Sequence, residues 1–471
     1  MKTNIGLFAI GLDTYWLQFD SLLDRLLGYH KQISERISKE ANVTDVGMVD
    51  SSERVKKAIE AFDSKKIDLL IVNISTYGLS QNILPIVRDS RAPTLILNLQ
   101  PTASIDYDFI NGLGDRGKMT GEWLAYCQAC VAPEVGGVFS KANLPIRLVS
   151  GHLEDPEVWT DISEWIQAAK TVKTLKQNRV GILGHYYNGM LDVYSDLARY
   201  SAVLGSEFQI LEFGELKALS EKISKEEINK KREEFQSAFN ISNECSNYEL
   251  ERAATTSIAL DNLVNGYNLD SLAYYYEGKG DPAYENIVTS LIPGFTLLTG
   301  NHIPVAGEYE IKNVHAMKIM DALNAGGSFA EFYAMDFNDD VILLGHDGPA
   351  HFAIAEGKVG LVPVPVYHGK PGNGLSIQME VSHGAVTILS VCESGDGKLF
   401  LLCAEGRSVE GPTLQIGNTN SRYKFELKPK DFINQWSKAG PSHHMAIGVG
   451  HVAGQIEKLA DLLGIAFIKI C

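Results

Sequence analysis

Asp68-Leu69-Leu70-Ile71-Val72-Asn73-Ile74 is a short apolar run with the length and β-branching of a strand buried on both faces of a parallel sheet. Residues 5–10 and 94–99 have the same texture. Residues 17–38 and 52–64 lie between these runs and carry apolar side chains at helical spacing. Strands alternating with helices predict a doubly wound α/β domain, with ligand groups gathered at the carboxyl ends of the strands. The pattern restarts near Arg179. Residues 180–183 read as a strand, and the loop 184–190 is expected to lead into a helix through Leu197. Neither Gly181 with Gly184 nor Gly6 with Gly11 completes G-x-G-x-x-G, so a dinucleotide site has little support. Residues 219–239, rich in Lys and Glu, read as a helix with a solvated face.

After Gly326 the texture changes. Residues 341–344, 375–381, 385–392, 399–405 and 422–427 are β-rich segments broken by Gly, Asp and Pro, and Ser394-Gly395-Asp396-Gly397 is a hairpin-turn signal. An antiparallel sheet or barrel is expected, with a last helix from near Pro441 toward Leu463. The chain then divides into an N-terminal α/β domain (1–174), a central α/β domain (175–325) and a β-barrel-like domain with a terminal helix (326–471).

That division suits the length of 471 residues, for which about three domains are expected. The formal charge of −16 argues against a nucleic-acid or anionic-membrane surface, because both need clustered Lys and Arg. Residues 5–10 are too short a run for a signal peptide and are followed closely by Asp13; no later run approaches a membrane span. Six cysteines in so long a chain fit a reducing cytosol, so a soluble cytoplasmic protein is expected. Cys127-Gln128-Ala129-Cys130 has redox or metal spacing. It falls in an apparently helical stretch, 121–132, and reads there as two small apolar side chains on a helix.

Nine of the twelve histidines lie after residue 300. Four acid or imidazole side chains stand out by context: Glu308 in Gly307-Glu308-Tyr309-Glu310, Glu331 in Phe329-Ala330-Glu331-Phe332-Tyr333, His346 in Leu344-Gly345-His346-Asp347, and His444 in Pro441-Ser442-His443-His444. Two carboxylates and two neutral imidazoles make a mixed oxygen and nitrogen set suited to Mn²⁺ or another divalent cation. The absence of thiolates argues against structural zinc. Glu331 sits among aromatics, where an unpartnered buried carboxylate would be costly. His351 competes with His346, and His443 with His444. His302, His315, His368, His383 and His451 read as surface or core histidines.

These motifs, in this order, resemble the L-arabinose isomerase family, with L-fucose isomerase more distant. The resemblance rests on Gly307-Glu308 before a helix at 311–323, Ser328-Phe329-Ala330-Glu331-Phe332-Tyr333, Asn338-Asp339 followed by Gly345-His346, and Gly440-Pro441-Ser442-His443-His444. It implies two flavodoxin-like domains followed by a β-barrel domain. It implies further that Glu308, Glu331, His346 and His444 bind Mn²⁺, that Glu308 and Glu331 shuttle the proton of an aldose–ketose isomerisation, and that His443 contacts substrate or supports the site. L-arabinose to L-ribulose is the first expectation for the reaction, and a homo-oligomer, a hexamer, for the assembly.

The N-terminal substrate loops depart from the family. Asp13, in Gly11-Leu12-Asp13-Thr14-Tyr15-Trp16, stands where a glutamine helps bind the sugar. Lys118, in the segment 114–122, replaces another polar contact. Tyr77 and Tyr276 fall where family aromatics line the pocket. A wrong hydroxyl partner is discriminated strongly in a buried site, so these changes bear on which aldose is used. Two other classes compete with the isomerase: a non-catalytic sugar-binding or regulatory protein, and an isomerase or epimerase for another sugar such as L-fucose.

Overall fold

The computed structural model describes residues 2–278, 280–364 and 373–471; His368 lies outside the described residues. The chain forms two compact units, Met1–Lys173 and Thr174–Cys471.

In the first unit, β1 (Asn4–Ile10), β2 (Asn42–Val49), β3 (Leu69–Ile74), β4 (Thr94–Gln100) and β5 (Leu148–His152) form one parallel sheet in the order β2-β1-β3-β4-β5. That is the flavodoxin-like order. Every residue of β3 is buried, as the opening run requires. Phe8, Leu70 and Val72 pack with Phe62, Ile86 and Phe139 from the covering helices. The edge strands β2 and β5 lacked a clean apolar run because Thr44, Asp45 and Ser150 interrupt them. The helix expected from residue 17 begins at Leu22, behind Ser21 in a left-handed conformation. The stretch 121–132 is not one helix either: Arg116–Leu124 ends, residues 125–130 turn, and Val131–Lys141 begins.

The second unit opens with a four-stranded parallel sheet. Val305–Ala306, Ser271–Tyr275, Arg179–Gly184 and Glu207–Leu211 lie side by side in that order. After Arg179–Gly184 the expected helix through Leu197 is absent. The helix starts at Leu197 instead, because Asp196 caps it by accepting from the backbone N–H of Ala198 at 3.0 Å. The charged stretch 219–239 belongs to two helices, Phe213–Ser220 and Lys225–Ala238, the second opened by a capping box between Ser224 and Glu227.

The C-terminal part is a closed six-stranded antiparallel barrel. Around the barrel the strands run Gly384–Glu393, His444–Val449, Gly326–Asp336, Val341–His346, Thr419–Phe425 and Leu399–Val409, which pairs back to the first. Ala466–Lys469 adds a parallel strand beside Leu399–Val409. Ser394-Gly395-Asp396-Gly397 makes the hairpin between the first and last of these strands, with Gly397 at φ 78°. Two expectations change. Residues 374–378 pair with Gly360–Val364 in a separate small sheet. The helix expected from Pro441 starts only at Ala453, and His444–Val449 is a barrel strand. Gly448 and Gly450 disfavour a helix there, and Met445, Ala446 and Ile447 are buried in the sheet.

The helix Ile311–Ala322 packs on both the parallel sheet and the barrel, and all twelve of its residues are buried. Several of its polar side chains are partnered. Lys318 Nζ donates to the carbonyls of Asp270 and His302 at 3.0 and 2.9 Å. His315 Nδ1 lies 2.7 Å from the carbonyl of Ile311, and Lys312 donates to the carbonyl of Asp192. Leaving any of these groups unpaired would cost about 1–3 kcal/mol.

Candidate active site

Three neighbouring barrel strands supply three of the four side chains singled out above. Glu331 stands opposite His444 on one side and opposite Gly345, next to His346, on the other. The strand of His346 also approaches Thr419–Phe425 closely, because residue 345 is glycine: a Cβ there would sit 2.1 Å from the carbonyl oxygen of Thr419. Glu308 arrives from the turn between Val305–Ala306 and the buried helix. It and Tyr309 both hold positive φ, 56° and 61°. Consecutive non-glycine residues in that region carry a cost that the surroundings must offset, a pattern associated with functional sites. Tyr309 is fastened by a 2.9 Å hydrogen bond from its N–H to the carbonyl of Tyr274 and by edge contact with Tyr186.

These elements enclose a cavity of about 390 Å³ lined by Glu308, Glu331 and His346 together with Tyr187, Tyr275, Tyr333, Asp347 and Asn418, among others. Its size and its mixture of aromatic walls with a few polar groups suit a small hydroxylated ligand. His346 Nε2 lies 4.0 Å from one oxygen of Glu308, and His444 Nε2 lies 3.3 Å from the other. Phe329 packs its ring against both imidazoles at 4.4 Å.

The two adjacent histidines have different partners. His444 is buried, and its Nδ1 faces Glu310 Oε2 at 3.2 Å. That contact places the proton on Nδ1 and leaves the Nε2 lone pair toward Glu308. His443 is half-exposed and lies between two carboxylates: Nδ1 is 2.6 Å from Asp192 and Nε2 is 3.7 Å from Glu308. Burial alone would favour the neutral ring, but the nearby carboxylates of Glu308 and Asp192 raise its pKa to about 9. Burial would likewise raise the Glu308 carboxyl; its neighbours His443, His444 and His346 hold it below its ordinary value.

Glu308, His443 and His444 bring their ligand atoms within 4.8 Å of one another. Glu308 Oε2 and His444 Nε2 are both buried, and neither has a hydrogen-bond partner. They face each other at 3.3 Å without bonding, although an orphaned buried polar atom is expensive. Two donors about 2.1 Å from one ion lie roughly 3 Å apart at right angles and about 4 Å apart when opposite, so the separations here fit a shared divalent cation. Of the two adjacent rings, His444 is better suited as a ligand, since its Nε2 is closer to Glu308, at 3.3 against 3.7 Å, and His443 is exposed and engaged by Asp192. The donor set of carboxylate and imidazole is chemically right for such an ion.

Residues 326–466 match the L-arabinose isomerase C-terminal domain. The L-arabinose isomerase of Shouchella clausii is 20% identical over 469 residues, covering 95% of this chain and 91% of that protein. Those of Nocardioides sp. and Bacillus subtilis are 22% and 21% identical, over 81% and 92% of this chain and 76% and 87% of theirs. Its C-terminal part thus matches an L-arabinose isomerase domain, and the whole chain is similar to L-arabinose isomerases. Its enzyme class is sugar isomerase. Among solved structures, a solute-binding protein from Burkholderia multivorans matches at 11% identity and a TM-score of 0.18, over 69% of this chain and 92% of that one. No described helix is long and apolar enough to cross a membrane.

Within this L-arabinose isomerase relative, the remaining sequence candidates are scattered. Asp13, Tyr77 and Lys118 belong to the first unit. Asp13 opens the 3-10 turn Asp13–Tyr15 and is exposed. Tyr77 is half-buried behind the end of β3. Lys118 is exposed in the first turn of the helix Arg116–Leu124, its N–H donating to the capping Asp115 at 2.8 Å. Tyr276 is not among the cavity-lining residues; it stacks on Phe213 at 4.3 Å, and the neighbouring Tyr274 and Tyr275 line the cavity instead. His351, the rival of His346, is buried near Gly326 and Ser328, outside the lining. His302, His315, His383 and His451 pair with Asp321, Ile311, Glu380 and Gly406, also away from it.

Sequence reasoning missed Glu310 and Asp192, which hold the two adjacent imidazoles. Glu310 was visible as the second acid of Gly307-Glu308-Tyr309-Glu310. Asp192 carried no signal, because only folding brings it to His443.

Proposed function

We propose that this protein is a divalent-metal-dependent aldose–ketose isomerase that converts L-arabinose to L-ribulose, with Mn²⁺ as its ion. The observation that carries the reading is the facing pair of orphaned donors, Glu308 Oε2 and His444 Nε2, beside a cavity that also holds Glu331 and His346. Glu308, Glu331, His346 and His444 would hold the ion. When bound, a divalent ion supplies Lewis acidity at the two reacting oxygens of the open-chain sugar.

The side chains do the rest. Isomerisation moves hydrogen between C1 and C2, so a base must take a weakly acidic C–H proton and an acid must return one to the neighbouring carbon. Glu308 and Glu331, two of the carboxylates lining the cavity, would share that work. Glu308 is kept ionised by its three histidine neighbours, and His443 beside it would donate to a sugar hydroxyl. Tyr275 and Tyr333 would limit water around the reacting carbons. Assembly as a homo-oligomer, a hexamer, and a cytoplasmic location complete this reading on the strength of the family resemblance.

The deciding experiment incubates manganese-loaded protein with a panel of aldoses and follows ketose formation. L-ribulose from L-arabinose at the highest kcat/KM supports the assignment. An epimeric aldose, or binding without turnover, would replace it.

A further inference from the structure

The broken helix after Leu124 changes the reading of Cys127 and Cys130. On a continuous helix they would be two small side chains facing a core. In the structure the chain turns at residues 125–130, and the two sulfurs meet at 3.0 Å, closer than two nonbonded sulfurs ordinarily approach. Both are free thiols, Cys127 buried and Cys130 exposed. Cys127 lies in a cluster with Leu124, Tyr15, Trp16 and Tyr77. Cys130 immediately precedes the helix Val131–Lys141, at the surface. Isomerisation of a sugar uses neither sulfur.

We propose that Cys127 and Cys130 are a reversible redox dithiol that low-molecular-weight disulfides of the glutathione class oxidise to an intrachain disulfide. The accessible Cys130 thiolate attacks one sulfur of oxidised glutathione. The glutathione S–S bond breaks, one glutathione leaves as a thiolate and takes up a proton, and the other stays on Cys130 as a mixed disulfide. Cys127 then loses its proton to solvent and attacks Cys130 Sγ, expelling the second glutathione. The protein loses two electrons and two protons, and one oxidised glutathione becomes two reduced ones. Order follows from geometry: Cys127 is closed to an external disulfide but already beside Cys130, so the second step is intramolecular. Burial and the Cys130 contact also raise the Cys127 thiol to about 12, which leaves Cys130 as the thiol that reacts first.

The test is peptide mapping by mass spectrometry of the full-length protein, alkylated without reduction after incubation with oxidised glutathione. A Cys127–Cys130-linked peptide lacking two hydrogens, carrying no glutathione and reversed by reduced glutathione, is the expected result. Cys127→Ser should retain one glutathione on Cys130, and Cys130→Ser should leave Cys127 unmodified. The wild-type map stands alone if either variant folds poorly. A mixed disulfide that persists on wild-type Cys130, or unmodified thiols at both positions while Cys245 or Cys471 is glutathionylated, overturns the proposal.

Discussion

His444 Nδ1 and Glu310 Oε2 meet at 3.2 Å, and neither side chain has any exposed surface. Glu310 is also reached by Ser442 Oγ at 3.4 Å and by Lys312 Nζ at 3.8 Å. A carboxylate so placed behind an imidazole fixes the ring's orientation and tautomer. Removing such a partner typically weakens metal affinity about 10–100-fold. Glu310→Ala should lower Mn²⁺ affinity by that order, measured by titration calorimetry on metal-stripped protein. Glu310→Gln, which keeps an acceptor, should lose less. Equal affinity in wild type and both variants would remove Glu310 from this role.

Chelation should abolish turnover, and Mn²⁺ should restore it better than Mg²⁺, because imidazole donors make a softer site than an all-oxygen one. Glu308→Gln and Glu331→Gln should each abolish L-ribulose formation while keeping a cooperative melting transition. A variant retaining near-native kcat would show that its carboxylate is not an essential base.

Asp13 and Lys118 are expected to tune the choice of sugar and leave the metal site alone. Mismatched hydrogen bonds to a buried hydroxyl cost on the order of 1–3 kcal/mol each. The double variant Asp13→Gln, Lys118→His should therefore change the kcat/KM ratio between L-arabinose and the best alternative aldose at least about tenfold, or ~1.4 kcal/mol. Mn²⁺ affinity should stay constant. Weakened metal binding with unchanged sugar preference would mean that these residues act elsewhere.

His315 gives a pH dependence of stability unrelated to the active site. Burial in the helix Ile311–Ala322 lowers its pKa to about 4, partly countered by the carbonyl of Ile311. The unfolded ring takes up its proton near the ordinary value of about 6.5, so below that pH the unfolded state binds more protons than the folded one. Stability is full above the unfolded pKa and falls as pH drops toward the folded one, by about 3 kcal/mol over the whole window. Urea denaturation from pH 7 to 4 measures this, and His315→Gln should flatten that part of the profile. A variant with the same pH slope as wild type would place the titration on other groups.

Much of the architecture was legible because strands and helices announce themselves locally. The runs at 5–10, 68–74 and 94–99 carry their burial in consecutive residues, and Ser394-Gly395-Asp396-Gly397 encodes its turn in four. Failures occurred where a local pattern allows two answers. Edge strands β2 and β5 alternate too loosely with polar residues to stand out. His444–Val449 has the apolar content of either a helix or a strand, and barrel pairing with Gly326–Asp336 and Gly384–Glu393 decides it. The break between Leu124 and Val131 likewise left no strong punctuation in the residues around Cys127.

By itself, the sequence determined the classes of element, their order, and the short contexts in which Glu308, Glu331, His346 and His444 occur, since each depends on neighbours along the chain. Tertiary structure alone decided which side chains share one cavity. Barrel register sets Glu331 opposite His444, the strained turn at Glu308 and Tyr309 aims a carboxylate at both imidazoles, and Asp192 and Glu310 divide His443 from His444 by charge and hydrogen bonding. The physical reason is distance. Hydrogen bonds and ion contacts act over a few ångströms, and only the closure of the barrel and the packing of the buried helix bring such remote parts of the chain that close.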